Sequence, residues 1–174
     1  VTERTDTTLN DLALASVKAY ANANRNPYAH MHTVKMELAD AQVASSRNPY
    51  FLEHQDLHPW LKISDCSQVS DGASALILAS REGLAKLGRP VHETMELTSC
   101  AVATLSIAND ADPLSLNSVE IAACRAYGET GLSASDIDIA EVHDCFTIAE
   151  ILAYEALGFS PKGAGSQLLR DGST

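Results

Sequence analysis

Basic residues are scarce in this chain. It has 12 Lys plus Arg against 23 Asp plus Glu, a formal charge of −11 over 174 residues. With no basic cluster, it is a poor partner for nucleic acid or for an anionic membrane. An anionic ligand would have to be met by locally placed donors, such as helix N-termini. Long apolar runs are missing too: no stretch of about 18 apolar residues occurs, which excludes a spanning helix. The opening residues VTERTDTT are polar and hold no apolar signal core. Cysteine is sparse and spread out. Cys66, Cys100, Cys124 and Cys145 are far apart and no CxxC occurs. Free thiols in a reducing compartment are therefore expected, not zinc or a disulfide framework. No internal repeat or low-complexity segment is evident. The chain lacks an initiator Met and stops on RDGST just after Leu168 and Leu169, so both ends are expected to be cuts.

What is present argues for a packed α/β protein. Hydrophobic residues make up 45% and charged residues 20%, which is enough apolar material for a core. The segment TDTTLNDLALASVKAYANAN opens on cap-type residues. Leu9, Leu12, Ala13, Val17 and Tyr20 then follow helical spacing. In ASALILAS, a small-residue apolar run follows the turn signal SDG and reads as a buried strand. REGLAKLGRP is a short helix or turn ending at Gly88, and VHETMELTSCAVATL reads as a further strand. Asn117 with Glu120 suggests a cap for a helix carrying Val119, Ala122, Ala123 and Ala126, which Gly131 is placed to end. DIDIAEV is a third strand. The helix after it carries Ala149, Leu152, Ala153 and Ala156 on one face, with Thr147 and Glu150 spaced as a capping box and Gly158 as a stop.

Residues 26–59 differ in character. They hold four of the six His and three of the six Pro, with one short helical pattern, and read as a loop-rich excursion that contacts a ligand or covers something. His30, His32, His54 and His58 suggest a metal site at first sight, but no carboxylate or Cys set completes one, so no metal is expected. Contacts to a bound ligand or loop packing suit them better. Trp60 is expected to anchor the excursion on the core.

The stretch EVHDCF carries the chemistry. It stands where a strand pattern gives way to a helix pattern, the place where open α/β sheets bind ligands. A thiol in the first turn of a helix is favoured as thiolate by the positive end of the helix dipole. A nearby imidazole is able to donate to a carbonyl or its oxyanion. Cys145 and His143 thus have the parts for acyl-group chemistry. Spacing alone leaves the plain alternative open, a buried Cys and a structural His at a strand end.

Longer matches add a family. DIDIAEVHDCFTIAEILAYEALG resembles the thiolases, and specifically the sterol carrier protein-2 type, whose hallmark is His-Asp-Cys-Phe. Here those residues are His143, Asp144, Cys145 and Phe146. CSQVSDGASALILAS is similar to the Ser-Asp-Gly-Ala segment on the last core strand of the family's N-terminal domain, and the opening helix with NPYAHMH resembles its loop domain over coenzyme A. The resemblance covers nearly the whole chain in the right order. It implies an α/β thiolase-like fold, layered α/β/α/β/α from two βαβαβαββ halves, of which only part is present beside a helical loop domain. Residues 1–65 would be the loop domain, 66–89 the end of the first half and 90–174 the start of the second.

The resemblance also implies roles. Cys145 would be the acid/base, His143 part of an oxyanion hole and Phe146 a pocket-lining residue. Ser67 would contact the pantetheine arm, although Gln68 stands where many relatives have Gly. The implied reaction is CoA-dependent cleavage of a 3-ketoacyl-CoA to acyl-CoA and acetyl-CoA, or its reversal, in fatty-acid and lipid metabolism. Coenzyme A is substrate there and no prosthetic group is needed. Partners would be CoA thioesters and a second copy in a homodimer. Peroxisome-type organelles or mitochondria are the family's sites, with the cytoplasm otherwise. The family's nucleophilic Cys and its Gly-His-Pro segment are absent from these 174 residues, and Cys66, Cys100 and Cys124 are poor substitutes. A thiolase-fold retro-aldol lyase and a non-catalytic CoA-binding relative are the alternatives.

Overall fold

A computed structural model describes residues 4–52, 60–106 and 112–174. Its first long helix, α1 (Leu9–Arg25), begins at Thr8 for a local reason. The Thr8 backbone N–H donates to the Asp11 carboxylate (2.7 Å), and Thr8 Oγ1 accepts from the Asp11 N–H (3.4 Å), a reciprocal capping box. The cap is then tied to the far end of the chain. Arg170 donates to both Asp11 oxygens, from Nε at 2.8 Å and from Nη2 at 2.6 Å.

Five more helices follow among the described residues: α2 (Leu38–Gln42), α3 (Arg81–Lys86), α4 (Asn117–Thr130), α5 (Thr147–Ala156) and α6 (Ser166–Arg170). The core sits where α1, α5 and α6 meet. Leu12 and Ala15 pack with Ile151, Tyr154 and Leu169, and Leu9, Ile148 and Phe159 close the cluster. Close approach there requires Gly165. A Cβ at this position would lie 2.5 Å from the Ile151 carbonyl oxygen, nearer than any real contact. Helix α4 leans on the other side of α5, where Tyr127 donates its hydroxyl to the Leu157 carbonyl (2.9 Å). Gly131 ends α4 in the left-handed region (φ 73°), as expected, and Gly158 (φ 81°) does the same after α5.

Two helix starts differ from the sequence reading. Asn117 and Thr147 are the first helical residues and not the caps, and neither Leu116 nor Phe146 before them caps with its side chain. The expected capping carboxylates found stronger partners. Glu120 pairs with Lys162 (2.8 Å), and Glu150 turns to Lys18 and Tyr154. An ammonium competes well with a backbone N–H for a carboxylate because it adds the attraction of a full opposite charge to the hydrogen bond.

The three expected strands form no ladder among the described residues. The only strand-like pairings there are two isolated antiparallel bridges, Tyr50 with Lys62 and Cys66 with Phe146. Their apolar residues lie in the open: Leu76 is 79% exposed, Ile77 88%, Met95 100% and Ile139 82%. A strand is a relation between two segments, and a correct strand pattern yields no ladder where a segment has no neighbour beside it. Cys100 and, on α4, Cys124 are exposed as well. Trp60 is 47% exposed, so it is not the buried anchor anticipated.

The Asp11–Arg170 contact makes a pH prediction. Burial would push the Asp11 carboxyl up, but hydrogen bonds from Arg170 and Thr8 outweigh it and hold it below its usual 3.8. A carboxyl depressed in the folded state stabilises above its unfolded pKa and loses that contribution as pH falls through the folded value. Arg170→Met is therefore expected to lower the urea midpoint most at neutral pH. The gap to the wild type should narrow as pH falls from about 5 toward 2. A gap independent of pH would show that Asp11 is not held by this arginine.

Candidate functional site

The junction is built by three pieces of chain meeting beside α1. The first is the segment leading to Ser67. A single turn, Ile63–Asp65, is held by a buried ion pair in which Lys62 Nζ donates to Asp65 Oδ2 (2.7 Å), with both side chains almost wholly enclosed. The same carboxylate accepts the Lys62 backbone N–H (2.8 Å). Ser16 of α1 donates to the Ser64 carbonyl (2.7 Å), which fixes this turn to the helix.

The second piece is the bend before α5. Ser67 donates its backbone N–H to the Cys145 carbonyl (2.9 Å), and Cys66 bridges Phe146. The Ser-Asp-Gly segment and the His-Asp-Cys-Phe junction are thus joined directly, although Cys145 comes 78 positions after Ser67. The third piece is the excursion. Asn48 exchanges hydrogen bonds with Ser64, accepting its N–H at 3.0 Å and donating to its hydroxyl at 2.9 Å. Phe51 donates its N–H to the Leu61 carbonyl (3.0 Å), and its ring meets Phe146 edge to face with centroids 6.2 Å apart.

Between α1 and these pieces lies a cavity of about 240 Å³. Ser16 and Tyr20 of α1, His30 of the excursion, Ser67, Asp144 and Thr147 are among its lining residues. Of the residues singled out from sequence, Ser67 is on its wall. Cys145 and Phe146 are half-buried and do not line it, although Asp144 before them and Thr147 after them do, and His143 is exposed on the stretch leading in. The thiol stands two residues before Thr147, the first residue of α5, so it lies outside the helix's first turn, where the sequence pattern had put it, because the helix begins only after Phe146.

Cys66 is a different kind of thiol. Burial and the Asp65 charge push it up to about 11, with only the Lys62 charge opposing. It stays protonated at neutral pH and is no nucleophile, in line with the reading that it does not replace an attacking cysteine. The histidines of the excursion are engaged singly. His30 Nδ1 meets Ser70 Oγ, and His32 Nδ1 meets the Ala23 carbonyl at 3.3 Å. His54 and His58 lie outside the described residues. The sequence reading missed Lys62, Asp65, Asn48 and Phe51. One signal was visible: two opposite charges three apart in the otherwise apolar WLKISDC.

This arrangement is that of a thiolase-type fold with a thiol at the start of a helix. Overall it superposes on the solved Ltp2–ChsH2(DUF35) aldolase with a TM-score of 0.75, over 98% of this chain and 43% of that one, at 22% identity. Residues 99–174 belong to the thiolase C-terminal domain-like family, and along nearly its whole length the chain is homologous to thiolases and to sterol carrier protein 2. It is 34% identical over 173 residues to benzoylsuccinyl-CoA thiolase subunit BbsB of Thauera aromatica, covering 97% of this chain and 41% of that one. It is likewise 34% identical to an acetyl-CoA acetyltransferase of Methanothermobacter thermautotrophicus, with the same coverage. It is 35% identical over 182 residues to sterol carrier protein 2 of Oryctolagus cuniculus, covering 98% of this chain and 30% of that one. The chain therefore spans about two-fifths or less of the curated relatives it matches.

Proposed function

We propose that these residues serve a CoA-dependent acyltransferase of the thiolase type, as the part that carries its proton-shuttling thiol. The observation that carries this reading is the Ser67 N–H to Cys145 carbonyl bond, which brings two separate thiolase-like segments to one edge of one cavity. A cavity walled by α1, Ser67 and Asp144 suits a slender polar arm such as pantetheine, with Ser67 as a contact and Phe146 near the acyl end.

In this reading the substrate is a 3-ketoacyl-CoA. An attacking thiolate, supplied by a cysteine other than Cys66, adds to the keto carbon. The bond between that carbon and the α-carbon breaks, and its electron pair moves onto the α-carbon as an acetyl-CoA enolate. Cys145 gives its S–H proton to that carbon, and the resulting thiolate then takes the proton of free CoA, which removes the acyl group. His143 donates a hydrogen bond to the thioester oxygen while negative charge sits there. Its exposed position leaves the ring free to turn toward a bound thioester. The layered fold, a loop domain over residues 1–65 with boundaries near 66 and 90, a homodimer, a fatty-acid or lipid role and an organellar setting are parts of the same proposal.

Assaying acetoacetyl-CoA cleavage by the full-length protein, with and without free CoA, tests the reading. Cleavage is expected only when CoA is present. Cleavage that proceeds without CoA would move the protein to the retro-aldol lyases, and no cleavage at all would leave a CoA-binding relative.

A further inference from the structure

Helix α1 grips the candidate site at two points. Ser16 holds the Ser64–Asp65 turn that leads to Ser67. Two residues on, Lys18 reaches the other side, into the first turn of α5. There its ammonium forms an ion pair with Glu150 and donates to the Tyr154 hydroxyl (2.7 Å). Tyr154 in turn donates to Glu150 Oε1 (2.5 Å), and the ammonium stands 5.3 Å from the centre of the Tyr154 ring. Glu150 and Tyr154 are 6% and 5% exposed. The three groups close into a triangle whose carboxylate and phenol are enclosed, while the Lys18 side chain is 23% exposed.

Such a triangle is directional in a way apolar packing is not. Ile151 against Leu12 and Ala15 tolerates sliding of α5 along α1. A buried carboxylate fixed to one ammonium and one hydroxyl does not, because a shift that breaks either bond strands a buried charge. Burial would lower the Lys18 ammonium, but its bonds to Glu150 and Tyr154 outweigh that and raise it, so the ion pair persists at neutral pH. Glu150 lies five residues after Cys145, on the helix that Cys145 precedes, and also forms part of the cavity wall.

We propose that Lys18, Glu150 and Tyr154 are positioning residues that set the place of α5 along α1 and so the place of Cys145 in the bend that leads into α5. This rests on the reading of Cys145 as the proton-shuttling thiol. Proton transfer depends steeply on placement: a misplacement of about 1 Å costs on the order of 10²-fold in rate. Lys18→Met and Glu150→Gln in the full-length protein are each expected to lower kcat for CoA-dependent acetoacetyl-CoA cleavage roughly 10–100-fold. KM should stay within about threefold, because the cavity walls remain. The double variant should be no worse than either single one, since the groups act as a unit. Acylation from acetyl-CoA is the reverse of CoA removing the acyl group, so Cys145 gives its proton to the departing CoA thiolate there too, and the rate of acylation should slow. The final yield of acyl-enzyme, read by intact mass after long incubation, should be unchanged. Tyr154→Phe keeps the ion pair and folds most safely, and should show the same pattern, smaller in size.

Wild-type kcat in folded Lys18→Met or Tyr154→Phe protein, in an enzyme that Cys145→Ala inactivates, would overturn this proposal alone. So would an acyl-enzyme yield that falls in parallel with turnover, which marks general loss of structure. A Cys145→Ala variant with wild-type turnover would overturn the reading of Cys145, and this proposal with it.

Discussion

Cys145→Ala in the full-length protein is expected to lower CoA-dependent acetoacetyl-CoA cleavage by about 10²–10⁴-fold, the usual worth of one general acid/base. Acyl-enzyme should still form from acetyl-CoA, more slowly but to the same final yield, because another residue supplies the attacking thiolate and Cys145 only protonates the departing CoA thiolate. The same protein should retain its urea midpoint. The thiol is half-buried in a bend, and the interaction it makes for the fold is its backbone carbonyl accepting the Ser67 N–H, which alanine keeps. Wild-type cleavage in the variant would refute the role given to Cys145. A large fall in both stability and acylation would instead make it a packing cysteine, the plain alternative that spacing left open.

Asp65→Ala is expected to be the most costly change for the fold near the site. It removes the only countercharge, among the described residues, of an ammonium that is itself 2% exposed, together with the acceptor of the Lys62 backbone N–H. Breaking a buried pair from one side costs about 3–5 kcal/mol, because the remaining charge is left unpaired. The urea midpoint should fall accordingly. The double change Lys62→Met with Asp65→Leu should recover most of the loss, since an apolar pair of similar volume removes the stranded charge. A single-variant loss under about 1 kcal/mol, the size of an exposed pair, would mean that water reaches Lys62 in solution. The consequence for function follows from position. Asp65 immediately precedes Cys66 and Ser67, so loosening the turn loosens the Ser67 bond to Cys145 as well.

These two residues were unequally legible. Cys145 stood out because a short pattern and its flanks carry a chemical role in one dimension. Asp65 did not, because its importance lies in being enclosed with Lys62, and enclosure is a property of neighbours. Glu150 is the instructive intermediate. Its spacing from Thr147 suggested a capping box, a local interaction. It instead faces Lys18, 132 positions away, because the ammonium offers a full opposite charge and a helix-end N–H does not. By contrast Thr8 and Asp11 do form the local box, and Arg170 adds to it without displacing Thr8.

The presence of α1, α4 and α5 and the glycine stops of α4 and α5 were determined by sequence alone, since each depends on residues within a turn or two of one another. Only the tertiary structure decided that Ser67 and Cys145 share a backbone hydrogen bond, that Phe51 is laid against Phe146, and that Lys18 grips the helix following the thiol. The reason is physical: a period or a cap is written in spacing, but which buried charge meets which is settled by the packing of α1, α5 and the chain between them.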